Sequence, residues 1–263
     1  MHVSILGAGN IGAAIARGLR VARPDDVRLT LTRRDLDALE AIEGVEATTD
    51  NVAATEGADV VILAVQPAQV RGVLEEIAPT LAARRPILAS VATNVTLDEL
   101  VQWTGVEGLP LFRVMPNTAV AVRESMTCIS CRDATEEQTA TVVGLMESVG
   151  RVLVIRDDLM NAATVLCACG IAFAMRFVRA ASQGGTEIGF HADEAVALAA
   201  QTIKGATTLV TELGQHPESA IDRVITPMGC TIAGLNEMEY EGFSSAAIRG
   251  IRRSYERAGA IEH

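Results

Sequence analysis

Near its start the chain reads Val3-Ser4-Ile5-Leu6-Gly7-Ala8-Gly9-Asn10-Ile11-Gly12, an apolar run that breaks into glycine-rich sequence. Gly7 permits a tight turn, and Gly9 lets the backbone approach an anion with no Cβ in the way. Gly12 lets a following helix pack closely on the strand. The next residues, Ala13-Ala14-Ile15-Ala16-Arg17-Gly18-Leu19, continue as a helix, whose free N–H groups at its start would face the same anion. Strand, glycine turn and helix in that order suit a dinucleotide pyrophosphate, held by Gly7, Ala8, Gly9, Asn10, Ile11 and Gly12.

The second strand ends Thr30-Leu31-Thr32-Arg33-Arg34. An acid at that tip is the usual acceptor for adenosine ribose hydroxyls. Here a hydroxyl and two guanidiniums stand there instead, and arginine grips a 2′-phosphate bidentately. The pattern favours NADP, with NAD possible, and leaves open that Arg33 and Arg34 are solvated surface. Asp35 is expected to begin the next helix.

Another anion site is expected far along the chain. Pro227-Met228-Gly229 opens a helix at about Thr231, so the N–H groups of Gly229, Cys230 and Thr231 would be unpaired donors for a carboxylate. The plainer alternative is that Thr226 and Thr231 only cap helices.

These residues need a scaffold. Strands are expected at Val3–Leu6, Val27–Thr32, Val60–Val65, Ile87–Val91 and Pro110–Val114, with a further pair near Met126–Ser130 and Arg151–Ile155. Helices are expected at Asn10–Val21, Leu36–Ala41, Pro67–Leu81 and Leu97–Thr104. The alternation predicts an α/β domain with a mostly parallel sheet covered on both faces, over residues 1–156. From 157 to 263 the chain turns all-helical, with Leu159–Gly184, Ala192–Leu213 and Ser244–Ala258 long and rich in alanine. Leu166 to Phe177 is apolar almost all round and must be covered, either by a second subunit, which is expected, or by the chain's own sheet.

At 263 residues, 49% hydrophobic and 21% charged, the composition is that of a globular protein. A net charge of −11 argues against nonspecific binding to nucleic acid or to an anionic membrane. No positively charged leader precedes the first strand, and the apolar stretch Ala195–Ala200 is too short to span a bilayer, so a cytoplasmic enzyme is expected. Five cysteines, an odd number, fit reduced thiols. Cys128-x-x-Cys131 and Cys167-x-Cys169 lack a supporting second pair, so no metal is expected. Ser90, Ser125 and Ser182 lack a G-x-S-x-G context, which removes support for a hydrolase.

Three further segments carry a family likeness: Ala64-Val65-Gln66-Pro67, Phe112-Arg113-Val114-Met115-Pro116-Asn117-Thr118, and Val224-Ile225-Thr226-Pro227-Met228-Gly229-Cys230-Thr231-Ile232-Ala233-Gly234-Leu235 followed by Glu239. Together with the glycine turn they resemble the pyrroline-5-carboxylate reductase family along essentially the whole chain. The resemblance implies an N-terminal Rossmann-type domain and a helical dimerisation domain that interlocks with a partner's. It implies a homodimer or higher oligomer, with an active site between one subunit's cofactor cleft and helices of the dimer. The reaction implied is reduction of a small carboxylate-bearing cyclic imine, pyrroline-5-carboxylate first, with a nicotinamide cofactor.

By the same resemblance Thr32, Arg33 and Arg34 face the adenosine ribose, and Asn51 and Asn117 lie near the cofactor. Ala64, Val65, Gln66 and Ala92 fall under the nicotinamide half. Met228, Gly229, Cys230 and Thr231 bind the substrate. Thr226 and Thr231 are the catalytic hydroxyls, Thr231 facing the imine nitrogen. A protonated imine already carries its proton, so hydride delivery and charge positioning suffice. The chain departs from the family at Gln66, usually lysine, and at Asn94, often glycine. It reads Cys167-Ala168-Cys169-Gly170-Ile171-Ala172-Phe173 for S-G-S-G-P-A-Y, and carries bulkier Ile225, Met228 and Cys230 in the loop. These departures leave open a different cyclic imine, or a nonenzymatic NADP-binding redox sensor. A β-hydroxyacid dehydrogenase would need a lysine in the first long helix, and the sole lysine of the chain is Lys204, one helix later.

Overall fold

The computed structural model describes residues 1–35 and 41–259. The first part runs β1 (His2–Leu6), α1 (Asn10–Ala22), β2 (Arg28–Thr32), β3 (Val45–Thr48), α2 (Asn51–Glu56), β4 (Val60–Leu63) and α3 (Pro67–Arg84). It continues through β5 (Ile87–Ser90), α4 (Leu97–Thr104), β6 (Leu111–Met115), β7 (Ser125–Arg132), α5 (Glu136–Glu147) and β8 (Gly150–Val154). The strands among the described residues form one sheet in the order β3-β2-β1-β4-β5-β6-β7-β8. β1 to β6 are mutually parallel, β7 runs antiparallel to β6, and β8 is parallel to β7.

Helices cover both faces of this sheet. Val3 and Ile5 of β1 pack with Ile15 and Leu19 of α1, while Leu6 joins Val70, Leu74 and Ile77 of α3 on the other side. Burial on both faces explains why the strands read as continuous apolar runs and not as an alternation. α1 approaches closely because of Gly18, where an added Cβ would overlap the carbonyl oxygen of Val120.

The expected strands and helices of this part stand, with ends shifted by at most three residues, except that the helix expected at Leu36–Ala41 lies, apart from Ala41, outside the described residues. β3, α2 and α5 were not anticipated. β3 is short and half-exposed, so it carries no apolar run, and α2 is only six residues long.

After β8 come a 3₁₀ turn (Asp157–Leu159), α6 (Met160–Ala163) and a π-helical turn (Thr164–Cys169). There follow α7 (Gly170–Glu187), α8 (Ala192–Leu213), α9 (Pro217–Val224), α10 (Cys230–Tyr240) and α11 (Phe243–Gly259). The single helix expected over Leu159–Gly184 is thus broken by the π turn, and α9 is an addition. By packing, the chain divides into one unit of Met1–Cys169 with the segment from Tyr255 onward, and a second of Gly170–Ser254. Residues 157–169, assigned from sequence to the helical region, stay with the sheet unit because wholly buried Met160 packs against Met115 and Cys128. The terminal segment joins that unit too, where Asn94 Nδ2 donates to the Ala258 carbonyl at 2.7 Å.

The second unit is helical throughout. α7 and α8 come close at Gly185, where a Cβ would lie 3.1 Å from the Ala195 methyl, and the rings of Phe177 and Phe243 stand 5.8 Å apart. Within this unit only Ser182 and Ala195 are buried in the single chain.

Candidate active site

The turn between β1 and α1 lies at the carboxyl end of the sheet, where the strand order reverses between β1 and β4. Gly7 takes φ 109°, and a Cβ there would press on the Ala64 carbonyl and the Val65 side chain. Gly12 is buried, and its Cβ would overlap the Gly7 carbonyl, so both glycines are needed for the turn to close. Over Gly9, by contrast, a Cβ would meet nothing within 4 Å. Space for a ligand lies there. No side chain caps α1, so the amides of Asn10, Ile11 and Gly12 are left without helical partners.

A cleft of about 410 Å³ opens from this turn. It is lined by Gly7, Ala8, Gly9, Thr32, Arg33, Arg34, Asn51, Ala64, Val65 and Gln66, all singled out from sequence. Asp35, Thr49, Gln69 and Val73 line it as well. Asp35 lines the cleft, and the helix it is expected to open lies outside the described residues. Gln69 carries a signal that was available, since its side chain accepts from the Gln66 amide at 3.3 Å as the return half of a capping box. Thr49 follows the unanticipated β3, which is why it escaped notice.

Local hydrogen bonds fix the floor of the cleft. Thr32 is buried, and its hydroxyl accepts from the Gly7 amide at 3.3 Å and donates to Asn51 Oδ1 at 2.7 Å. Asn51 Nδ2 in turn donates to Glu76 at 3.0 Å. Thr32 therefore ties the glycine turn to the start of α2 while lining the cleft. Arg33 is half-buried and donates from Nη1 to the Ala8 carbonyl at 2.9 Å, which brings its charge back over the glycine turn. Arg34 is exposed at the cleft.

Ala92 and Asn117 are not brought into this cleft. Ala92 is buried in the core under α3 and α4. Asn117 ends the R-V-M-P-N segment: its Oδ1 accepts from the Ala119 amide at 3.0 Å, and its Nδ2 donates to the Cys167 carbonyl at 3.3 Å. Arg113 in the same segment was not given a role, yet it is a buried cation on the sheet. Its Nη1 donates to Asp157 Oδ1 at 3.0 Å, and Ser130 Oγ donates to the same oxygen at 2.7 Å. Among the described residues Arg113 Nε and Nη2 have no partner.

In the helical unit, Thr226 to Gly229 form a β-turn with Pro227 at its second position and Met228, φ 58°, at its third. A positive φ at that position is where glycine or asparagine is usual. The Gly229 amide donates to the Thr226 carbonyl at 2.9 Å, so it is not the free donor expected from sequence. Gly229 is still required, because a Cβ would overlap the Thr226 hydroxyl. α10 starts at Cys230 with no side-chain cap, leaving the amides of Cys230, Thr231 and Ile232 without helical acceptors. Met228 is fully exposed beside them.

Known proteins resemble this chain in sequence and fold. Residues 157–261 match the family model described as pyrroline-5-carboxylate reductase dimerisation, and residues 2–94 match that described as NADP oxidoreductase coenzyme F420-dependent. A Coxiella burnetii pyrroline-5-carboxylate reductase structure superposes with a TM-score of 0.89 at 27% identity, covering 99% of this chain and 98% of that one. A Plasmodium falciparum pyrroline carboxylate reductase with NADP bound has the same fold, with a TM-score of 0.89 at 22% identity over 99% of this chain and 97% of its own. Pyrroline-5-carboxylate reductase 1 of Dictyostelium discoideum is 40% identical over 98% of this chain, which spans about half (49%) of that longer protein. Reductase 2 of the same organism is also 40% identical, with 98% of this chain and 92% of the relative aligned. On that near full-length match, the chain belongs to the pyrroline-5-carboxylate reductase family.

Proposed function

We propose that this protein reduces 1-pyrroline-5-carboxylate to L-proline with NADPH. The observation that carries the reading is the open cradle over Gly9, backed by uncapped α1 amides and continued by Arg33 and Arg34, in a chain of this family. Those residues fit a dinucleotide: pyrophosphate on the amides of Asn10 to Gly12, and a 2′-phosphate by Arg34 with Arg33 behind it. When bound, the nicotinamide cofactor supplies the hydride.

The chain's own residues bind and orient. The amides of Cys230 and Thr231 take the substrate carboxylate, as free donors at a helix start favour an anion. The Thr231 hydroxyl is assigned to the imine nitrogen, and Thr226, packed against Gly229, holds the turn. With the proton already on the imine nitrogen, no residue of the chain is called on as a strong acid. Arg113 is assigned to stability through its pairing with Asp157.

The helical unit is proposed to complete itself against a second copy, giving a homodimer or a larger assembly of dimers. By length and composition the helical run Asp157–Glu187 could cross a membrane. Its match to a dimerisation family model, and the charges of Arg176 and Arg179 within it, support a protein partner instead. The site of action is proposed to be the cytoplasm, in keeping with the five free thiols.

The test is purified protein with NADPH and pyrroline-5-carboxylate, followed by loss of reduced-cofactor absorbance and by detection of proline. Turnover is expected. No oxidation with this imine or its six-membered homologue would overturn the assigned reaction.

A further inference from the structure

We infer that Cys128 and Cys167 are a reversible thiol–disulfide pair, closed by a peroxide-class oxidant and opened by a dithiol. Their sulfurs stand 4.0 Å apart on different elements of the sheet unit. Cys128 is fixed. It lies in β7, paired with Met115 of β6 on one side and Leu153 of β8 on the other, and is 3% exposed. Cys167 lies half-buried in the π-helical turn Thr164–Cys169, a widened turn with looser hydrogen bonding than the helix it interrupts. A disulfide needs the sulfurs at about 2.05 Å, an approach of roughly 2 Å that falls to the half-buried π turn, since Cys128 is held between two neighbouring strands. Cys131, three residues along the strand from Cys128, faces the opposite side of the sheet and is exposed, so it does not compete for the same partner.

The chemistry divides between the two thiols. The contact between the two sulfurs holds the Cys167 thiol down at about 7, while the same contact and burial push Cys128 up. Cys167, the more accessible of the two sulfurs, is therefore the thiolate that meets the oxidant, and Cys128, buried in β7, the resolving thiol. The Cys167 sulfur attacks the peroxide, an S–O bond forms, the O–O bond breaks, and hydroxide leaves to become water. Cys128 sulfur then attacks the sulfenic sulfur: the S–S bond forms, the S–O bond breaks, and the second water leaves with the Cys128 proton. In total two thiols lose two protons and two electrons and one peroxide becomes two waters. Drawing Cys167 toward β7 also moves the carbonyl that accepts from Asn117, so oxidation is felt at the end of the M-P-N segment.

The test is peptide mapping of the reduced full-length protein after a small excess of hydrogen peroxide and alkylation of the remaining thiols. Two of the five free thiols are expected to disappear, in one linked pair joining Cys128 to Cys167, and to return with dithiothreitol. Fragment-ion sequencing assigns the sulfurs, because Cys128 and Cys131 share one tryptic peptide, as do Cys167 and Cys169. Without peroxide, alkylation of Cys167 should reach half its maximum near pH 7, against about 8.5 for an ordinary thiol. Cys167→Ser should abolish the link, and Cys131→Ser and Cys230→Ser should leave it intact. The inference is overturned if both thiols stay alkylatable, if Cys167 links elsewhere, or if Cys167 goes on to sulfinic acid while Cys128 remains reduced.

Discussion

Arg34 and Arg33 look alike in the sequence, yet only Arg34 is exposed in the cleft, since Arg33 bonds the Ala8 carbonyl. Arg34→Ala is therefore the cleaner test of cofactor choice. Loss of a charge-assisted bond to phosphate should raise KM for NADPH about 10- to 100-fold and leave KM for NADH nearly unchanged. Asp157→Ala would strip the buried Arg113 of its side-chain acceptor, with Nε and Nη2 already lacking partners among the described residues. A loss of about 1–3 kcal/mol is expected in the denaturant midpoint, moderated because Asp157 is itself partly exposed. Met228 pays for its left-handed backbone with strain of about 1 kcal/mol, but glycine would loosen the unfolded chain by a similar amount. Met228→Gly should accordingly shift stability by less than about 1 kcal/mol. At this scale the sequence was most readable where the chemistry is local, as at Gly7, Gly9 and Gly12. It was unreadable where a contact joins distant residues: Cys128 and Cys167 lie 39 positions apart, and Arg113 and Asp157 lie 44 apart. Gly229 shows a subtler case, because whether its amide is free depends on the turn that Met228 adopts.

The approach of α1 to the 3₁₀ turn Thr118–Val122 depends on Gly18. Alanine there gains helix propensity of about 1 kcal/mol, but its methyl would overlap the Val120 carbonyl, and overpacking costs about 1–3 kcal/mol. Gly18→Ala should therefore lower the thermal midpoint, and a rise would show that α1 can back away from the turn. Strands buried on both faces announced themselves as apolar runs, and long helices by their spacing. β3 did not, because Val45-Glu46-Ala47-Thr48 is a half-exposed edge. α5 did carry a legible mark in the Thr135…Gln138 capping box, a start signal that its mixed interior obscures. The π turn had no sequence signature of this kind, since one widened turn inside an apolar helix leaves the spacing almost unchanged.

For the whole molecule, the contrast lies between a sheet unit with cores on both faces and a helical unit that buries only Ser182 and Ala195. Met175 on α7 and Leu198 on α8 are exposed in the single chain, as are Phe173 and Phe190. Leu198→Asp is expected to shift the protein from dimer or larger to monomer in light scattering and to lower its thermal midpoint. An unchanged mass would place the subunit contact on another face. The proposed partner has its sequence motive in the apolar helix at Leu166 to Phe177, since a helix apolar almost all round must be covered. The nearly coreless unit has a kinetic meaning as well. On the proposed pairing with a second copy, the sheet unit can gather its core within one chain while Gly170–Ser254 waits for an encounter, so recovery from denaturant should become second-order and slow down on dilution.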